Sequence, residues 1–261
     1  MKYEKCILLV LCVSGFISCD PPRKEITSWS EEFNYTGLPD STKWSYEEGK
    51  LRNNEEQYYR KASLANSRVE DGHLVIEAVK DTLGYGKFTS ASLITKGKHS
   101  FLYGRVEVRA KLPVGKGTWP AIWLLGENID KVDWPACGEL DIMENVGFDS
   151  TKIHANIHTE AFNHVKNTNK GNNIVLKDVW DEFHVYSMDW KEDKISFAVD
   201  DSVYFTYEKL PDYGNAEWPF DKPHFLILNL AIGGAWGGKF GVDEARFPHK
   251  FEIDYVRYTA P

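Results

Sequence analysis

The sequence predicts an all-β protein, a two-layered β-sandwich of jelly-roll type with a concave groove. Three observations carry that expectation. Many short runs alternate apolar and polar residues, two runs are apolar throughout, and helical periodicity is almost absent after residue 27. The alternating runs are 73–79, 103–112, 152–159, 182–188, 194–200, 202–208 and 251–258. Alternation at period two buries one face of a strand and wets the other. "AIWLLG" (121–126) and "HFLILNLAIGG" (224–234) do not alternate, as expected of strands covered on both faces. Gly, Asp, Asn and Pro punctuate these runs at strand-like intervals, with no repeat and no low-complexity linker. Residues 28–261 are therefore expected to form a single domain. "GGAWGG" (233–238) reads as a loop, because it lacks the strand–loop–helix setting of a phosphate cradle.

The N-terminus reads as an export segment. Lys2 and Lys5 precede an apolar run from Cys6 to Ile17, too short to span a bilayer. The run ends in "FISC", which resembles the lipobox of bacterial lipoproteins, in which Cys19 becomes the lipidated first residue. The alternative is an ordinary signal peptide that happens to end in cysteine. Residues 1–18 would then be the signal and 19–27 a short tether. Multiple acyl chains on Cys19 would hold the protein stably to a bacterial membrane, at the outer membrane or cell surface.

Composition narrows the partners. The net charge is −8 and the pI is near 5.5, which argues against nucleic acid, an anionic membrane or an anionic polysaccharide as ligand. Aromatics make up 14% of the chain, with nine Trp and thirteen Tyr, more than a core requires. The excess suits a surface that stacks the flat apolar faces of neutral sugar rings. Three of the four cysteines fall in the first nineteen residues, so no internal disulfide framework is possible. Cys137 reads as a buried small residue. The chain is expected to act as a monomer without a catalytic cofactor.

The chemistry concentrates in "GELDIMENVG" (138–147). Glu139 and Asp141 share one face of a strand, and strict alternation would turn Glu144 to the other. A β-bulge near Ile142–Met143 inserts one residue and restores the phase. Glu139 and Glu144 would then lie about four effective residues apart, roughly 13 Å between Cα atoms. Two glutamates leaning together could close their carboxyls to the ~5–5.5 Å of retaining glycosidases. Asp141, between them, is too short to reach a sugar and suits biasing its neighbours' protonation. Two other readings stay open for this segment: a calcium site and the solvated face of an edge strand. Flanking Leu140, Ile142 and Met143, with Trp123 and Trp134 nearby, argue against simple solvation.

"WPACGELDIMEN" resembles the E-x-D-x-x-E signature of glycoside hydrolase family 16, in the bulged form of its laminarinase-like branch. "WSEEFNYTGLPDSTKW" (29–44), "NNEEQYY" (53–59), "YGRVEVRAKLPVGKGTWPAIWLLG" (103–126), "HANIHTEAFNH" (154–164), "LNLAIGGAWGG" (228–238) and "IDYVRY" (253–258) resemble it too, in order. The resemblance implies a concanavalin A-like jelly roll and an endo-β-glucanase acting on β-1,3- or mixed β-1,3/1,4-glucan. Within the family a strict mixed-linkage enzyme or a galactan-type enzyme is the alternative, and a non-catalytic glycan-binding protein is the rival class. The resemblance implies Glu139 as nucleophile, Glu144 as general acid/base and Asp141 as helper. Double displacement at neutral pH then calls for Glu139 ionised and Glu144 protonated. For substrate contacts the resemblance points to Asn54, Glu107 with Arg109, Asn156 and His158, and to Trp119, Trp123 and Trp134 for stacking. Each has a plainer reading: a surface ion pair for Glu107 and Arg109, core for the tryptophans. His154, Asn156 and His158 share one face, and a two-histidine metal site would need a third ligand. The resemblance also implies a structural calcium ion held by Glu32, the Gly72 carbonyl and Asp254.

Overall fold

The computed structural model describes residues 27–261. The signal segment, Cys19 and all but the last residue of the tether lie outside them. Seventeen strands are described. The first four are short: β1 (Trp29–Glu31), β2 (Ser45–Glu47), β3 (Gln57–Tyr59) and β4 (Ser67–Glu70). β5 (His73–Lys80), β6 (Phe88–Ser90), β7 (Ser92–Ile94), β8 (Gly104–Lys111) and β9 (Thr118–Gly126) follow. β10 (Glu139–Glu144) carries the three acids. Beyond it run β11 (Lys152–His158), β12 (Lys170–Val175), β13 (His184–Trp190) and β14 (Lys194–Val199). β15 (Ser202–Glu208), β16 (His224–Ile232) and β17 (His249–Thr259) complete the set.

The strands form two sheets. The seven-stranded sheet has the order β12-β11-β10-β9-β16-β7-β2. The ten-stranded sheet runs β15-β14-β13-β8-β17-β5-β6-β3, with β1 on β17 and β4 on β5. Long crossovers between neighbours such as β9 and β16 are the mark of the jelly roll, so the expected sandwich holds. One core lies between the layers. Val106, Val108 and Ala110 of β8 and Phe251 and Ile253 of β17 join Leu124, Leu140, Ile142 and Leu228 of the other sheet there. Each of the larger side chains, fully buried, contributes about 1.5–3 kcal/mol relative to exposure.

The two unbroken apolar runs become the central pair β9 and β16. Every residue of β16 is buried. Leu226, Leu228, Leu230 and Ile232 face the main core. Phe225 and Ile227 point the other way and join Ala121 and Trp123 in a second cluster on the outside of the sheet. Ala121 and Trp123 of that cluster, with Asn229 and Ala231, floor part of a cleft. β12, unforeseen in the sequence, is an edge strand with five exposed residues and one half-buried. A strand with so little to bury leaves no hydrophobic period to read.

Candidate active site

The bulge in β10 falls where the carboxylates demand it. Against β9, Asp141 pairs Trp123, Met143 pairs Ile122 and Glu144 pairs Ala121. Against β11, Glu139 pairs His158, Asp141 pairs Asn156 and Glu144 pairs His154. The partners 158, 156 and 154 step by two while 139, 141 and 144 do not, so one residue is inserted at Ile142–Met143. Both inserted-side apolar chains, Ile142 and Met143, are wholly buried in the core. All three acids face the cleft. Gly138 precedes them at a φ of 84°, a conformation that favours glycine. A Cβ there would come within 2.9 Å of Pro219 and 3.1 Å of His224 and Phe220.

Each glutamate is held by an indole. Trp134 Nε1 donates to Glu139 Oε2 at 2.8 Å, and Trp119 Nε1 donates to Glu144 Oε1 at 2.9 Å. Asn156 Nδ2 donates to the second oxygen of Glu144 at 3.3 Å, and Asn169 donates to Asn156 Oδ1 at 3.1 Å. His158 Nε2 stands 3.7 Å from Glu139 Oε1 and 3.4 Å from Asp141 Oδ2. Trp119 and Trp134 thus act through N–H groups as well as ring faces. Trp123 gives its N–H to Asn229 Oδ1 at 2.8 Å and carries the Arg52 guanidinium 4.9 Å over its ring.

Burial governs the protonation. It pushes Glu139 up to about 8, with the Asp141 charge adding to the rise and His158 and the Trp134 N–H opposing it. Burial, then the charge of Glu144, raises Asp141 well above its ordinary range. Glu144 is raised by burial against the hydrogen bonds from Trp119 and Asn156. Three anions cannot share so dry a site, and the cluster holds protons at neutral pH. Glu144 agrees with the acid role. Glu139 departs from the expectation of simple ionisation, because its own carboxyl is raised. Asp141, the most deeply buried of the three, is the natural place for the shared proton. A neutral Asp141 removes one like charge from beside Glu139, and the Trp134 N–H favours the anion.

The cleft has two adjoining parts, of about 330 and 400 Å³, which share Asn53, Trp119, Glu139, Glu144 and His164. Of the expected contacts, Trp119, Trp123, Trp134, Asn156 and His158 line it. Two expectations are corrected. Glu107 and Arg109 lie on β8 of the opposite sheet, where the intervening Val106, Val108 and Ala110 fill the core. They face outward, far side of the sandwich from the acids. Glu107 pairs with Arg105 and Arg109 with Asp254, the surface ion pairs of the plainer reading. Asn54 is exposed and does not line the cleft, whereas Asn53 does and reaches toward Glu55 Oε1 at 3.3 Å. Both asparagines are exposed and have positive φ, in a tight turn that brings only the first of them to the rim of the cleft.

Several lining residues are not marked by the sequence pattern. Arg52, Glu55, His164 and Trp236 come from loops or turns, where no periodicity marks a face. His164 lies 5.1 Å from the Trp134 ring and 5.2 Å from His158. Trp236 meets Trp119 edge-on at 5.5 Å and His154 at 5.0 Å. Cys137 is buried as expected, its thiol pushed up to about 12 by that burial.

Two glutamates with an aspartate between them, on the floor of an aromatic cleft, are the equipment of a glycosidase. The comparisons agree on the class. Residues 53–257 match the family Glycosyl hydrolases family 16, and the chain belongs to that family. It is a glycoside hydrolase. A β-glucanase of Rhodothermus marinus is 46% identical over 237 residues, 88% of this chain and 83% of its own. The structure of the laminarinase from Rhodothermus marinus matches with a TM-score of 0.87 at 44% identity, over 90% of this chain and 97% of that one. A variant of SCLam, a non-specific endo-β-1,3(4)-glucanase of the same family, was co-crystallised with 1,3-β-D-cellotriosyl-glucose. It matches at a TM-score of 0.84 and 46% identity, over 88% of this chain and 92% of that one.

The indole anchor makes one prediction. Trp134→Phe keeps an aromatic ring but removes the N–H that orients Glu139. A hydrogen bond to a charged group contributes about 1.5–3 kcal/mol, so kcat should fall about 10- to 100-fold with little change in KM. Steady-state kinetics at an unchanged kcat would show that the bond does not position Glu139 for the reaction.

Burial makes another. A Glu139 carboxyl at about 8 when folded and near 4.5 when unfolded binds its proton more tightly in the folded protein. Below about pH 4.5 both states are protonated and there is no penalty. Between there and pH 8 the unfolded state ionises first and stability is lost. Glu139→Gln escapes that loss. Its melting temperature should exceed the native value by roughly 10 °C or more at pH 8, taking ~1.4 kcal/mol per pH unit and ~2–4 °C per kcal/mol, and by nothing at pH 4. Equal melting temperatures at pH 8 would contradict the raised carboxyl.

Proposed function

We propose that the protein is an endo-β-glucanase that hydrolyses β-1,3-glucan of the laminarin type and mixed-linkage β-1,3/1,4-glucan, with retention of configuration. The observation that carries this reading is the bulged strand β10, which turns two indole-anchored glutamates toward one cleft. Glu139 attacks the anomeric carbon while Glu144 protonates the leaving oxygen. Glu144 then takes a proton from water, which releases the sugar from Glu139. Asp141 holds a proton beside the nucleophile. Asn156 fixes the free oxygen of Glu144, and Asn53, Trp123 and His158 offer contacts to the chain of sugars. A neutral glucan suits the cleft: Arg52, the one arginine among the described lining residues, is already paired with Glu47.

A strict mixed-linkage enzyme or a galactan-type enzyme would share this acid set and differ in the loops around it. A glycan-binding protein would have no use for two held glutamates. Digestion of laminarin, barley β-glucan and agarose with product analysis separates these readings. Oligosaccharides from the first two are expected, and the earliest reducing ends should be β-anomers by proton NMR. Cleavage of agarose alone would overturn the substrate, and no cleavage of any glycan would overturn the enzyme.

A structural calcium ion belongs to the same proposal. β5 and β1 lie end to end along one edge of β17: Leu74 pairs Ile253, and Glu31 pairs Val256. Gly72 and Glu32 therefore approach the gap between them, where the register of β17 slips around Asp254. Two carboxylates and a carbonyl form the all-oxygen donor set that suits calcium. Arg257 donates to both oxygens of Glu32, and Arg109 donates to Asp254, so the ion would compete with two guanidinium groups. Chelation should lower the melting temperature and leave the initial rate at low temperature nearly unchanged. An unchanged melting temperature would rule the ion out.

Export with a lipid anchor at Cys19 is proposed from "FISC". Cys19→Ala should move the protein from the membrane fraction to the soluble fraction in a bacterial host. A variant that stays in the membrane fraction would exclude this anchor.

A further inference from the structure

We propose that Glu139, Asp141 and His158 form a site for a zinc-class divalent ion, and that such an ion inhibits the enzyme by taking the place of the reacting sugar. One ligand atom from each of the three residues lies within 4.8 Å of the others. Trp134 engages Oε2 of Glu139, which leaves Oε1 facing His158 Nε2 at 3.7 Å. Asp141 Oδ2 faces the same nitrogen at 3.4 Å. Ligands on a tetrahedral zinc at about 2.0–2.1 Å stand about 3.3–3.4 Å apart, so small side-chain shifts bring these atoms into register.

A second observation points into the same space. The Asp141 side chain is 4% exposed, and its Oδ2 accepts no hydrogen bond from any described group. A buried carboxylate oxygen without a donor is costly, and a cation there would satisfy it. The donor set of one imidazole nitrogen and two carboxylates suits zinc or copper rather than calcium or magnesium. The Glu139 side chain keeps 16% exposure, so a fourth position opens to the cleft for water. The second histidine of β11, His154, packs on Trp236 instead. An ion on Glu139 Oε1 blocks the atom that must meet the anomeric carbon, which makes ion and glycan mutually exclusive.

The test uses zinc sulfate in a chelator-free buffer. Zinc should raise the apparent KM for a laminari-oligosaccharide several-fold at unchanged kcat, and EDTA should reverse this at once. Calcium at the same concentration should do neither. His158→Gln should need at least tenfold more zinc for half-inhibition of its remaining activity, whereas Cys137→Ala should keep the native sensitivity. Calorimetry provides a readout independent of turnover and of which glycan is cut. One zinc should bind per chain of Glu144→Gln, and saturating oligosaccharide should suppress that binding. A fall in kcat at constant KM, or equal zinc sensitivity in His158→Gln, would overturn the proposal. So would zinc binding that oligosaccharide leaves untouched.

Discussion

One inserted residue governs the site. Without the slip at Ile142–Met143, β10 would alternate strictly and Glu144 would point into the core opposite Glu139. The cost of a lone carboxylate buried there would be several kcal/mol. With the slip, Ile142 and Met143 both pack inward and the three acids share the outer face. Bulges bend a strand and re-aim its side chains, which is why they recur beside active sites. The neighbours reinforce the aim. β9 brings Trp119 to Glu144, and the segment before β10 brings Trp134 to Glu139.

Burying these acids is destabilising, and the structure concentrates its hydrogen-bond donors against that cost. Glu139 and Glu144 each accept an indole N–H, and Glu144 also accepts from Asn156. Oδ2 of Asp141 accepts from no described group, and burial raises its carboxyl well above the usual range. The unequal supply of donors separates three chemically similar groups. Two are held as oriented oxygens and one as a store for the proton they cannot all do without. Stability and reactivity pull in opposite directions here, as expected of a site kept strained for function.

Much of this was legible in the chain. The acids are out of phase in an otherwise regular strand, and only a bulge reconciles them with one face. The continuous run of β16 announced a strand covered on both sides, and its two faces do enter two clusters. What the pattern could not supply was long-range placement. Alternation in "VEVRAK" shows that Glu107 and Arg109 share a wetted face but not which of two sheets carries it. Asn53 and Asn54 are adjacent, identical in type and both left-handed, and only the first lines the cleft. Arg52, His164 and Trp236 reach the cleft from irregular segments, whose path depends on the whole fold. β12 hides because an exposed edge strand has almost no apolar period.

The central claim is that the bulge sets Glu139 and Glu144 close together in different roles, and azide rescue of Glu144→Ala tests it most directly. The substrate is a β-glucoside with an activated aryl leaving group, which needs no acid to form the intermediate. Azide then attacks without a general base. Partial recovery of the rate with a β-glycosyl azide as product is the expected result, since the sugar would pass through a covalent bond to Glu139. An α-glycosyl azide would contradict it, because azide would then have replaced the nucleophile and the two glutamates would have to exchange roles.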